Sequence, residues 1–352
     1  AVTLTVAFVL PCAAADWPQF RGPANSSVTV EADLPIQWEE GDAAWKIELP
    51  GRCVSGPVVT QGRVVTTSSS GRQNKRLHVY CVDAISGKLL WKRQLWATGR
   101  TFCHPLTSMA SPTPATDGQR VYALFASNDL VCLDLEGNVL WVRALGMEHP
   151  QAFDDRGLGS SPLLVGDTLV LQTECSGDSF AMGIACGDGH TLWKRTLPQK
   201  INWLSPAMLK ADGKELALVQ TYDKLLVLEP VSGAVVASYE TPGTAIASPV
   251  ARDGVVFMPS RGLTALKFDA AADSPTLLWQ ENRLGAQRGS PVVDQGKLFV
   301  IRSSNILACG DAATGEPLWN IRLKGSQFWA TPIVAGDHVY AASAEGLVQV
   351  VN

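Results

Sequence analysis

Leu77-His78-Val79-Tyr80-Cys81-Val82-Asp83-Ala84-Ile85-Ser86-Gly87-Lys88-Leu89-Leu90-Trp91 reads as a strand, a tight turn from Asp83 to Gly87, and a second strand ending in Trp91. Apolar strands flanking an Asp…Gly turn make a β-hairpin, here with a large apolar anchor. Versions of it return at 130–141, 184–193, 225–237, 263–279 and 306–319. Ahead of each hairpin stands Ser/Thr-Pro followed by apolar residues: Ser111-Pro112, Ser161-Pro162, Ser205-Pro206, Ser248-Pro249, Ser290-Pro291 and Thr331-Pro332, with a looser Ser55-Gly56-Pro57 at the front. Self-similarity of this kind outranks any single motif.

Seven units follow. Their anchors, Trp91, Trp141, Trp193, Ala237, Trp279 and Trp319, recur every 40 to 52 residues. That period suits a four-stranded propeller blade and is long for a helical repeat. The expected fold is all-β, a single β-propeller whose blades must stack because one small sheet cannot bury both faces alone. The last unit reaches Asn352 without a Trp strand, while Ala44-Trp45-Lys46-Ile47-Glu48-Leu49 precedes any Ser-Pro unit. We therefore expect the Trp45 segment to close the ring as the missing fourth strand.

Of 352 residues 46% are apolar and 18% charged, enough for one large core. The formal net charge of −4 and the lack of basic runs give no support to nucleic-acid binding. Residues 1–15 carry an apolar run ending in Ala13-Ala14-Ala15, which reads as a secretory signal cleaved after Ala15, with a buried strand as the alternative. The expected location is the periplasm or the medium, without a membrane span in the mature chain. Residues 16–43 read as an ordered arm lying over the propeller, and 44–352 as the propeller itself. Cys81, Cys132, Cys186 and Cys309, each two residues before Asp, are read as equivalent buried positions in different blades, too far apart to pair. A Cys53 to Cys103 bridge is left open. No Cys-x-x-Cys signals zinc or haem.

Two connections are long, 94–110 and 144–160. In a propeller such outer-to-inner connections gather at one mouth of the central channel, where binding residues are usually placed. The first carries Arg100 and His104, the second His149, Asp154, Asp155 and Arg156; Trp203, Arg288 and Trp329, each shortly before a Ser/Thr-Pro, should face the same mouth. Trp96, Phe102, Phe153 and Phe328 add aromatic surface to this rim, and Trp and Arg are enriched at binding hot spots. Asp154-Asp155 reads as a solvated loop pair. The His104 and His149 residues read as surface histidines before Pro, with no hydrolase motif nearby.

The pattern Asp311-Ala312-Ala313-Thr314-Gly315-Glu316-Pro317-Leu318-Trp319, nearly kept at 83–91, resembles the tryptophan-docking repeat of PQQ-like (pyrroloquinoline-quinone repeat) β-propellers. That family takes in quinoprotein alcohol dehydrogenases and the BamB-type propeller. The opening Trp17-Pro18-Gln19-Phe20-Arg21-Gly22-Pro23 is similar to that of secreted bacterial members. The resemblance implies that Trp45, Trp91, Trp141, Trp193, Trp279 and Trp319 each dock on a neighbouring blade's turn. With Ala237 for Trp and a shortened turn, Asp188-Gly189-His190, before Trp193, blades four and three should dock least tightly. Such propellers often have eight blades, so the count of seven leaves eight open.

The resemblance also supplies two functions. A quinoprotein alcohol or aldose dehydrogenase needs PQQ, a Ca²⁺ held by carboxylate and amide oxygens, a carboxylate base and an adjacent cysteine pair. No two cysteines are adjacent and no matching Glu/Asn/Asp set is found. The favoured expectation is a monomeric binding or assembly scaffold for an envelope protein or polysaccharide, with no catalytic residue, metal or cofactor.

Overall fold

The computed structural model describes residues 16–31 and 34–352; the expected signal at 1–15 lies outside these residues. Seven four-stranded sheets follow one another as blades. Blade 1 runs Val58–Thr60, Arg63–Ser70, Arg76–Asp83 and Leu89–Trp96, all antiparallel. Blades 2 to 6 repeat that order over 115–144, 163–196, 207–240, 250–281 and 292–322. The middle strands are apolar on both faces because neighbouring blades cover both. Arg76–Asp83 is buried from Leu77 to Val82, whereas Leu89–Trp96 alternates exposed and half-buried residues as an outermost strand should. Six apolar clusters join each blade to the next from the first to the seventh.

Tryptophan docking holds these joints. The Trp91 indole N–H donates to Leu135 O (2.8 Å), Trp141 to Cys186 O (3.1 Å), Trp193 to Pro230 O (2.7 Å) and Trp279 to Ala312 O (3.0 Å), each in the next blade's outer turn. Each ring lies on a turn glycine. At Gly137 (φ 81°) a Cβ would stand 2.6 Å from the Trp91 ring, so both the conformation and the approach require glycine. Burying each ring contributes ~2–3 kcal/mol.

Blade 3 corrects the sequence alignment. Its turn hydrogen bonds are Ala185 N–H to His190 O and Gly189 N–H to Ala185 O, matching Asp83 with Lys88 and Gly87 with Asp83 in blade 1. Ala185, not Asp188, therefore stands at the Asp83 position, and the turn before Trp193 has its full length. Cys186 consequently lies in the turn, while Cys81, Cys132 and Cys309 face Trp91, Trp141 and Trp319 across their ladders. Trp193 docks as tightly as its counterparts; at Ala237 the seam is held by Ser238 N–H to Asp273 O (3.0 Å).

Closure also differs in detail. Trp45 does dock on blade 1, its N–H on Ala84 O at 2.9 Å and its ring on Gly87. Residues 44–49 show the same alternating burial as an outermost strand but join no ladder. The fourth strand of the last blade is instead Val28–Thr29, paired parallel with Ile333–Ala335. That inner edge is reachable only from the channel. Residues 17–29 of the arm therefore run along the inner strands rather than over the propeller: Trp17 pairs with Val59, Pro18 O accepts from Thr116 N–H, Gln19 Oε1 from Leu164 N–H, and Ser27 O from Val334 N–H. Innermost strands of blades 1, 2, 3 and 7 are thus tied to one segment. Trp319 packs 6.1 Å from Phe299 and lines a cavity of about 150 Å³ with His338 and Asn352.

The Ser/Thr-Pro marks form a second ring. Gly56 N–H donates to Thr113 Oγ1, Thr113 to Ser161 Oγ, Ser161 to Ser205, Ser205 to Ser248, Ser248 to Ser290 and Ser290 to Thr331, all at 2.9–3.1 Å. In blade 2 the ring member is Thr113, before Pro114, rather than Ser111. Each hydroxyl satisfies the backbone donor of the preceding blade, which explains the residue type without chemistry.

Candidate binding face

Strand direction puts the inner-strand starts, the connections after each outermost strand and the turns between second and third strands on one face. There the two long connections are fastened together. Asp129 anchors the base of the first, accepting from Thr98 N–H (3.0 Å), Thr98 Oγ1 (2.6 Å) and Ser127 Oγ (2.6 Å). His104 N–H and Thr107 Oγ1 both donate to Arg156 O, at 3.1 and 2.8 Å. Trp203 Nε1 donates to Gly157 O at 2.8 Å. The Arg100 guanidinium lies 3.5 Å from the Phe153 ring centre, and that of Arg156 5.8 Å from Trp203. Such stacking fixes the cations without neutralising them.

The structure therefore brings Arg100, His104, Asp154, Arg156 and Trp203 together. Asp154 and Asp155 part company: Asp154 is buried and its Oδ1 accepts Arg156 N–H at 2.8 Å, while Asp155 is exposed. Arg288 pairs with Trp329 (4.5 Å) two connections further round, apart from this group. His149 is drawn to the outer strand of blade 3, its Nδ1 3.0 Å from Lys194 Nζ and 3.1 Å from Asp178 Oδ2, its ring 4.7 Å from Phe180. Phe328 is core, not rim. Cys53 and Cys103 are both free thiols. Trp96, Phe102 and Met147 are exposed by 62%, 69% and 65%.

One feature of this face escaped the sequence reading. Glu174, at the end of the second strand of blade 3, is 1% exposed and bridges to Asn202, the neighbour of Trp203. Neither carboxylate oxygen has a hydrogen-bond partner. Burial pushes its pKa up to about 8, against the nearby Asn202 and Gln172 amides and with Asp223 adding repulsion. A Glu inside the otherwise uncharged run 168–175 was the available signal.

Among the described residues no three His, Cys, Asp or Glu side chains gather to hold a metal ion. Glu174 is a single carboxyl, and Asn202 Oδ1 already accepts Leu204 N–H at 2.9 Å.

Comparison with known proteins adds the following. The family model described as outer membrane protein assembly factor BamB matches residues 26–181, 181–287 and 269–352. The outer membrane protein assembly factor BamB of Nitrosomonas eutropha is 26% identical over 159 residues, 45% of this chain and 36% of that protein, so the match spans about a third of the relative's length. Among solved structures, BamB from Moraxella catarrhalis superposes with a TM-score of 0.60 at 16% identity, covering 85% of this chain and 82% of that one. A europium-containing methanol dehydrogenase gives 0.69 at 10% identity over 96% and 83%. At these identities the superpositions show the fold alone. Among the described residues no helix is long and apolar enough to cross a membrane.

Proposed function

We propose that this chain, which belongs to the outer membrane protein assembly factor BamB family, is an envelope scaffold that binds a protein partner through the face formed by 94–110 and 144–160. The observation that carries the reading is the joined pair of connections, which displays Trp96, Phe102 and Met147 to solvent beside the stacked Arg100 and Arg156. Rigidly presented aromatics and arginines are the groups that dominate protein interfaces. The family supports a protein partner over a polysaccharide, and the cell envelope as the place of action. The reading assigns the chain no quinone, no metal and no catalytic residue.

The test is site-specific photo-crosslinking in the envelope, with a photoreactive residue at Phe102 and, as control, at Lys214 on the far hairpin of blade 4. The expected result is one adduct at Phe102, identified by mass spectrometry and rebinding as a purified protein. Equal labelling at both positions, or none at Phe102, overturns the reading.

A further inference from the structure

The turn between the second and third strands of blade 1 lies beside the first long connection: Ala97 N–H donates to Lys75 O at 2.9 Å, and Asn74 Nδ2 stands 3.9 Å from Cys103 Sγ. Between them is an open groove of about 320 Å³ lined by Arg72, Gln73, Lys75, Arg76 and Trp96. Three of those five side chains are cationic and none is acidic. Arg76 lies over the Trp96 ring at 5.8 Å, as Arg100 lies over Phe153. A Cβ at Gly157 would stand 3.0 Å from Cys103 Cβ, so the Arg156 loop lies close to the connection that borders the groove. Among the described residues Arg72, Lys75, Arg76, Arg100 and Arg156 form no ion pair, while other cations such as Arg143, Lys194 and Arg252 do.

We infer that this groove and the adjoining loop receive an extended acidic polypeptide segment of the partner protein, its carboxylates on the unpaired arginines and its apolar side chains on Trp96 and Phe102. The inference rests on the scaffold reading and names the chemistry of its partner. Five unpaired cations on one face of a chain whose net charge is −4 mark a local field that an acidic segment would neutralise. Guanidiniums placed over aromatic rings and free of carboxylate partners keep N–H groups available for carboxylate bonds. A groove of this volume takes one or two side chains rather than a flat surface, which favours a peptide over an anionic membrane. A membrane would also meet the acidic remainder of the molecule.

The probe is a fluorescein-labelled peptide, Glu-Glu-Phe-Glu-Glu-Phe-Glu-Glu, followed by anisotropy at low and high salt. Saturable binding is expected, weakened tenfold or more by 0.5 M NaCl and by the double substitution Arg76→Glu, Arg100→Glu. Lys214→Glu should leave it unchanged, and vesicles containing anionic lipid should not compete. All substituted side chains are exposed, and melting curves of the variants check their folding. Failure of the peptide to bind, equal binding by the double variant, or preference for the vesicles overturns the inference. Should the Phe102 adduct still form in that case, the scaffold reading stands and only the acidic character of the partner falls; loss of both removes the reading itself.

Discussion

Glu174 carries the most testable consequence at the scale of a single residue. Its carboxyl is buried without a partner, so the folded chain holds a proton that the unfolded chain releases at the ordinary value. The sign follows from linkage. The stabilising contribution is complete below the unfolded pKa of 4.5 and is lost as pH rises toward the folded value of about 8. Across that window the loss is about 1.4 kcal/mol per pH unit. Glu174→Gln removes the proton and keeps the shape. Denaturant unfolding at pH 5, 7 and 9 should show the wild type losing stability relative to the Gln variant between pH 5 and 8 and no further above. Parallel curves for the two proteins would contradict the assignment. The docking residues give a second test. Trp91→Ala empties the seat between blades 1 and 2 and should cost roughly 3–5 kcal/mol. Gly137→Ala, which pushes a Cβ into the same ring and strains a backbone at φ 81°, should also destabilise, and the double variant should lose less than the sum because the clash vanishes with the ring while the backbone strain stays. Additive losses would mean that the ring and the glycine do not share one contact.

Among the elements, the hairpins were legible and the terminal segments were not. Hairpins are local: alternation, an Asp…Gly turn and a Trp anchor lie within fifteen residues of each other, and the ladders pair as that pattern dictates. The error in blade 3 had the same local origin. Asp188-Gly189 looks like the conserved-looking turn of its neighbours, but the Trp193 ladder fixes Gly183 opposite the ring and moves the turn back to Ala185. The arm was illegible because its partners are spread from Val59 to Ala335. Nothing in Val28–Thr29 announces a parallel pairing with Ile333–Ala335, and the Trp45 segment carried the stronger strand signal. Deleting residues 16–31 should lower the melting temperature and speed amide exchange in Ile333–Ala335 and in the innermost strand Val58–Thr60, while Lys214–Gln220 keeps its protection. Uniform loss of protection, or none, would show that the arm does not tie the ring at those strands.

For the molecule as a whole, the repeat decided the propeller because seven copies average out local irregularities. The candidate face was only partly readable. Position in the repeat puts Arg100, His104, Arg156 and Trp203 near one mouth, and in the structure hydrogen bonds and ring contacts link the two connections that carry them. It could not separate side chains that stack outward from those that turn in, and so His149 and Phe328 were placed with the rim although each packs elsewhere. Glu174 and the cations of 72–76 lay in strands and turns read only as scaffold. The account rests on one claim, that the face built from 94–110 and 144–160 is where the partner sits. Hydrogen exchange of the full chain, alone and with the partner captured at Phe102, tests it most directly. Slowed exchange confined to 71–76, 94–110 and 144–160 is the predicted result, and protection located instead on the outer turns such as 83–88 or within the channel arm would contradict it.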